Sequence, residues 1–268
     1  MERICFAVLA HEKRRILKDM LANIRYFCPN SSIVLYNGGS NPQLCRNLGY
    51  PVCPYSKKMQ WGNLAQFMLD IMKWLDDTGY QYDYLINLDS DALFARKGFE
   101  SFIISQMKDA DYMAVRARVY GDKWYPGREM KRRWSKWQPL LKTEQFLGCF
   151  NVGQVFSKDL VKKILSSDDI DKIQKNIIEN GTFALEEILY VTLAHTLGVK
   201  IKSYPEDVAG FIRSRHYFTL FEVSRYIKSN APCYLLHPVR RDMNDNVRRY
   251  IRRLMSGYSK NSRRHLTV

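Results

Sequence analysis

The feature that most constrains this chain is Tyr84-Leu85-Ile86-Asn87-Leu88, a buried-looking strand that runs straight into two carboxylates, Asp89 and Asp91, one residue apart. A single Asp after a strand is an ordinary turn residue. Two, separated only by Ser90, can turn toward one point at the strand's carboxyl end, and anionic groups held that close repel unless a cation neutralises them. The segment therefore asks for a metal, or for a phosphate-bearing ligand with a metal.

The residues before it explain how such a strand comes to be buried. The run "RICFAVLA" reads as a first strand, followed by a helix with Leu17, Met20, Leu21, Ile24 and Cys28 on one stripe, ended by Pro29. "SSIVLYNGG" is a second strand closed by the tight turn Asn37-Gly38-Gly39, which completes a βαβ unit with parallel pairing. After a loop, Leu64, Phe67, Met68, Ile71, Met72 and Leu75 mark a second helix, and the opening stretch is the third strand. Strand, helix, strand, helix, strand predicts an α/β fold: an open, mostly parallel sheet that binds ligands outside the carboxyl ends of its strands. Asp89 and Asp91 lie at such an end.

The second half reads less clearly. "DYMAVRARVY" fits another strand, and "YGDKWYPGREMKRRWSKWQPLLK" reads as a long basic loop carrying Trp124, Tyr125, Trp134 and Trp137. "FLGCFNVGQVFSKDLVKKIL" reads as a strand or two leading into a helix that starts near Ser157. "TFALEEILYVTLAHTLG" predicts one helix with Leu185, Ile188, Leu189 and Leu193 inward and Gly198 as its stop. From Asn244 the tail is an amphipathic basic helix, with Val247, Tyr250, Ile251, Leu254 and Tyr258 on a stripe and Arg248, Arg249, Arg252 and Arg253 around the remainder.

Composition narrows the class. The chain has 268 residues, 46% hydrophobic and 26% charged, which fits a globular protein and excludes low-complexity or disordered classes. No apolar run approaches the roughly 18 residues of a membrane span. The N-terminal run is short and soon charged, so it reads as a core strand rather than a secretory signal, with a cytoplasmic location as the default. Cys5, Cys28, Cys45, Cys53, Cys149 and Cys233 show no metal-ribbon spacing and are expected to be free structural thiols. The net charge of +15 points to an anionic partner.

Taken in order, these motifs resemble a glycosyltransferase of the nucleotide-sugar-binding GT-A fold. The likeness rests on the N-terminal βαβ half, "WGN" (Trp61 to Asn63) opening the second helix, "LINLDSDALF" as a DXD motif, "CFNVGQVFS" as the acceptor-side strand and "LEEI" on a helix. Some of it extends to the core-2/I-branching relatives. The resemblance implies a Rossmann-like domain over residues 1–240, with a nucleotide-binding half at 1–95 and an acceptor half at 96–240, then a basic helix and tail at 241–268. It also implies sugar transfer from a nucleotide-diphosphate sugar, UDP-sugar favoured, to a carbohydrate or glycoconjugate acceptor, assisted by Mn²⁺ or Mg²⁺.

Residue by residue, the resemblance makes Asp91 a metal ligand, puts Asp89 on the metal or the ribose, and makes His237 in "YLLHPVRRD" a third ligand. It makes Glu187 the general base of an inverting displacement, with Glu186 raising or orienting it. Arg240 and Arg241 would hold the leaving diphosphate. His11, Asn37, Lys57, Trp61 and Gly62 are expected on the nucleotide side, the last three beside a helix start that favours anions. Each has a plainer alternative: Glu186 and Glu187 as helix-dipole partners, His237 as a structural histidine, the arginines as solvated charge.

Two other classes compete. An aspartate-nucleophile phosphatase also places D-x-D after a strand, but expects Thr or Val where Leu93 stands. A nucleic-acid-binding protein would use the +15 and the arginine-rich tail, yet acids at the mouth of the sheet would repel phosphate, and no known binding module is visible. An anionic membrane surface, met by the C-terminal helix at the inner face, is the other expected use of the charge.

Overall fold

The computed structural model describes residues 3–11, 13–119 and 123–264, the last eight of these as helical backbone only. Strand β1, Ile4–Ala10, is buried along its whole length and leads through α1, Arg14–Phe27, to β2, Ser32–Asn37. The long connection that follows runs beside β2, where Leu35 donates to the Pro51 carbonyl and accepts from the Cys53 amide. Then come α2, Ala65–Asp77, and β3, Tyr84–Asp89, the strand of the two carboxylates.

Next in order are β4, Leu93–Phe94; α3, Phe99–Met107; β5, Tyr112–Arg118; α4, Tyr125–Leu141; and β6, Gly148–Ser157. Helices α5, Lys158–Leu165, and α6, Ile170–Asn180, precede a 3₁₀ turn at Leu185–Glu187 and α7, Leu189–Thr196. The chain closes with β7, Ile201–Ser203; α8, Glu206–Ala209; α9, Leu220–Lys228; β8, Leu235–Leu236; and α10, Asn246–Arg264.

The main sheet has the order β2-β1-β3-β6-β5-β7. All pairings are parallel except those of β6, which runs against both β3 and β5. The fold is the α/β architecture expected: a mostly parallel, mixed sheet covered by helices on both faces. Along β1 the side chains alternate between two cores. Phe6 and Val8 join Leu17, Met20 and Ile24 of α1 on one face, whereas Cys5, Ala7 and Leu9 join Phe67, Ile71 and Met72 of α2 on the other. Because β1 lies between β2 and β3, the chain reverses direction across the sheet there. The register pairs Ala10 with Asn37 and Leu9 with Asp89, which brings three carboxyl ends level at the kind of crevice where open α/β sheets bind ligands.

Three expectations are corrected. The stretch read as a basic loop is the helix α4: Pro126 and Gly127 sit in its first turn, Pro139 in its last, and dense basic residues obscure an apolar stripe at Met130, Trp134, Trp137 and Leu141. Trp137 is fully buried, its indole N–H donating to the Thr182 hydroxyl at 3.0 Å. The single helix expected from "TFALEEI" is a 3₁₀ turn followed by α7, because Ala184 adopts a left-handed φ of 52° and breaks the run. "WGN" forms a turn ahead of α2, which begins at Ala65.

At the other end, Val247 and Ile251 of α10 are buried in the same core as α1, while the Tyr258 side chain lies outside the described residues. All six cysteines are buried and unbridged. Burial pushes the thiols up, that of Cys5 to about 12 and those of Cys45 and Cys53 to about 11. Among the described residues no helix is long and apolar enough to cross a membrane.

Candidate active site

The carboxyl ends of β1 and β3 and the segment after β8 converge on the two aspartates. His11, just past β1, places Nε2 2.8 Å from Asp89 Oδ1. Arg241 lies between the carboxylates: its Nη2 is 2.9 Å from Asp89 Oδ2 and 3.2 Å from Asp91 Oδ2, and its Nε donates to the Ser90 hydroxyl at 2.9 Å. Burial alone would raise the Asp89 pKa. The His11 hydrogen bond and the Arg241 charge outweigh it and hold the carboxyl well below its usual range. The guanidinium thus answers, within the chain, the repulsion that two adjacent carboxylates create.

His237 supplies the remaining wall. Its Nδ1 lies 2.9 Å from the Arg213 carbonyl, an acceptor only, so Nδ1 carries the hydrogen. Nε2 then faces Asp91 Oδ1 at 3.1 Å. That oxygen is buried and receives no hydrogen bond of acceptable geometry. In the neutral tautomer, a lone pair and a carboxylate oxygen face each other, which is unfavourable unless the ring is protonated or a cation joins them. Burial would lower the imidazole's pKa, but Asp91, and less closely Asp89, raise it on balance. An orphaned carboxylate oxygen opposite an imidazole nitrogen is also a donor set that suits Mn²⁺. The residues therefore fit a divalent ion at this edge, although among the described residues no three His, Cys, Asp or Glu side chains already enclose one.

The two glutamates enter the same cavity from the 3₁₀ turn. Glu186 is buried, and its Oε2 accepts from the Leu64 amide at 3.1 Å, at the start of α2. Its backbone carbonyl accepts from Gln154 Nε2 at 2.9 Å. Glu187 is only half-buried. Desolvation first, and the Glu186 charge second, push its carboxyl up to about 8. Glu186 is itself raised by burial, with Asp89 adding to the effect. One glutamate is thus anchored, while its neighbour remains accessible with a strongly basic carboxylate.

Below them a buried polar network joins the strands. The backbone N–H of Gln154 on β6 donates to Asn87 Oδ1 at 2.7 Å, and Asn87 Nδ2 donates to the Asn151 carbonyl at 2.8 Å and to its side-chain Oδ1 at 2.9 Å. Tyr112 donates to Gln154 Oε1 at 2.7 Å. β3, β6 and the turn of the glutamates are therefore tied through the side chains of Asn87 and Gln154, each satisfied.

His11, Asp89, Asp91, Glu186, Glu187, His237 and Arg241 face one cavity of about 1200 Å³, and the network below reaches its wall through Asn151. Of the residues singled out from sequence, His11, Trp61, Gly62, Asp89, Asp91, Glu186, Glu187, His237 and Arg241 line it. Three others do not. Lys57 turns to buried Asp70 at 3.5 Å, leaving Lys58 on the wall. Asn37 instead shapes the turn, its Oδ1 accepting from Gly39 at 3.2 Å, and exposed Arg240 lies over the Tyr217 ring at 4.6 Å. Sequence reading missed Asn151, Phe183 and the Ser214–Tyr217 stretch of the lining. Polar Asn87 and Gln154 inside apolar strands were the available signal for the network.

No family model matches this chain, and no curated protein matches it in sequence. Among solved structures it is similar to a galactosyltransferase, LgtC, in complex with donor and acceptor sugar analogs, at 13% identity over 96% of each chain with a TM-score of 0.49. It is likewise similar to an active-site mutant of LgtC, at 13% identity over 96% of this chain and 95% of that one, with a TM-score of 0.48. Likeness at that level carries no argument about activity, so the functional reading rests on the site.

Proposed function

We propose that the protein is a glycosyltransferase that moves a sugar from a nucleotide-diphosphate sugar, UDP-sugar favoured, to an acceptor hydroxyl with inversion at the anomeric carbon. The observation that carries this reading is one cavity holding both a carboxylate pair suited to a cation at the sheet's carboxyl edge and a separate carboxyl, Glu187, pushed up to about 8. An aspartate-nucleophile phosphatase expects Thr or Val where Leu93 stands. A nucleic-acid-binding surface has no use for buried acids, which would repel phosphate.

In this reading the nucleotide lies against the β1 and β2 ends, near Gly38 and Gly39, and the diphosphate meets His11 and Arg241. Asp89, Asp91 and His237 would hold Mn²⁺ or Mg²⁺, which when bound neutralises charge on the departing diphosphate. Arg241, released from the aspartates, pairs with phosphate oxygens, a role its planar fork suits. Glu187 accepts the proton of the acceptor hydroxyl as the new bond forms, and a carboxylate of raised pKa is the stronger base for that step. Glu186 fixes the turn through Leu64.

A thermal-shift and turnover screen of UDP-, GDP-, TDP- and CMP-sugars, with and without Mn²⁺, tests the reading. Stabilisation by one nucleotide class together with donor-dependent sugar transfer is expected. Stabilisation by none would overturn it. The +15 charge is assigned in part to an anionic membrane surface met by exposed arginines of α10, a placement that suits a lipid-borne acceptor.

A further inference from the structure

Three aromatic rings of the cavity wall play no part in the chemistry above. Phe183 is the central one, its ring 5.1 Å from that of Trp61 and 5.2 Å from that of Tyr125, both edge-on. The outer two are open to solvent, Trp61 at 88% and Tyr125 at 49%. A lone exposed aromatic residue is ordinary, but Trp61 is held by backbone built around it. Ala184 donates to the Gly62 carbonyl at 2.6 Å, and Asn63 to the Gln60 carbonyl at 3.0 Å. Gly62 has a φ of +73°, and a Cβ there would stand 2.2 Å from the Phe183 ring. Ala184 is left-handed as well, a conformation unfavourable for alanine.

These bonds join the turn of Trp61 to the turn of Glu186 and Glu187, so the rings and the carboxyls are fixed in one frame. We propose that Trp61 and Tyr125, braced by Phe183, form a stacking platform for a pyranose ring of the acceptor. This inference rests on the glycosyltransferase reading and names its acceptor class as a saccharide. A pyranose with axial hydrogens on one face offers an apolar surface to flat rings, while its hydroxyls need polar partners. Asn151 and Lys123 of the same wall supply such groups. The platform is bonded to the glutamate turn rather than to the Gly38-Gly39 end, which moves Trp61 from the expected nucleotide side to the acceptor side.

Indole N–H resonances of the five tryptophans provide the test. Trp61→Phe assigns its signal, and because the ring is exposed the variant keeps its core. Methyl β-galactoside, methyl β-glucoside, methyl β-N-acetylglucosaminide and lactose are titrated without nucleotide, and UDP is titrated separately. A saturable shift of the Trp61 signal with at least one saccharide and none with UDP is expected, with affinity weakened about tenfold in Trp61→Ala. A Trp61 signal that moves with UDP alone, or with none of the saccharides, overturns the platform. Binding of UDP-, GDP-, TDP- and CMP-sugars is measured on the same protein: failure of all four with a saccharide response intact would remove the transferase reading and leave the platform standing.

Discussion

Arg248 of α10 is wholly buried and places Nη1 2.7 Å from Asp19 Oδ2 on α1. The same guanidinium donates to the Arg240 carbonyl at 3.2 Å and, at 3.4 Å, to the carbonyl of Ser90, the residue between the two aspartates. The C-terminal helix therefore helps to shape the loop between Asp89 and Asp91. Removing one member of a buried pair leaves an uncompensated charge, so Asp19→Ala should destabilise the protein by about 3–5 kcal/mol. Urea denaturation at neutral pH measures it, and a loss under about 1 kcal/mol would show the pair to be solvated.

That finding alters what the arginine-rich tail can do. Arg248 is spent on Asp19, and Arg252 lies 3.8 Å from the same carboxylate and donates to the Met243 carbonyl at 2.7 Å. Arg249 and Arg253 remain exposed. The affinity for anionic liposomes at low salt, read by cosedimentation, is expected to fall about thirtyfold in the double variant Arg249→Gln/Arg253→Gln, at roughly 1 kcal/mol per arginine, and to weaken as salt rises. Equal binding by wild type and variant would remove α10 from any membrane contact.

The proposed role of Asp91 and His237 as metal ligands makes a separate prediction. Asp91→Asn should abolish Mn²⁺-dependent nucleotide binding with the fold intact, and His237→Ala should weaken metal affinity without eliminating it. Calorimetric titration of Mn²⁺ in the presence of UDP reads both. An unchanged titration in Asp91→Asn would leave Arg241 as the cation the carboxylates use.

How much of this was legible in the sequence depended on periodicity. The strands β1, β2 and β3 and the helices α1 and α2 carry uninterrupted apolar runs or stripes, and the sheet order at the site follows from the βαβ connections. Helix α4 was hidden because Pro126, Gly127 and Pro139 resemble loop punctuation, although Pro126 lies in the first turn, where a missing N–H costs little. The catalytic-looking residues near strand ends were visible for the same reason: charged groups after apolar runs are conspicuous. Phe183 and Asn151 were not, since neither breaks a local pattern and their importance lies in contacts across the fold. Arg241 was visible as a charge, but its place between Asp89 and Asp91 depends on a chain segment some 150 residues further along.

Glu187 gives the last prediction, which links activity to stability. Its carboxyl, ordinarily at 4.5, is pushed up to about 8 in the folded chain. Between those values the folded protein holds a proton that the unfolded chain has released, so this group's contribution to stability falls as pH rises from about 4.5 to about 8 and levels off above. Glu187→Gln removes the proton linkage. The variant should be more stable than wild type at pH near 9 by up to about 5 kcal/mol, with the difference shrinking toward pH near 4.5. If Glu187 is also the base, the same substitution lowers kcat at least roughly 10²-fold with donor affinity little changed, and the product sugar has inverted configuration. Thermal unfolding across this pH range, alongside NMR of the product anomer, checks the two halves independently. A variant that gains stability at high pH but keeps full turnover would leave Glu187 as a strained carboxyl without a catalytic role, and would turn attention to Glu186→Gln.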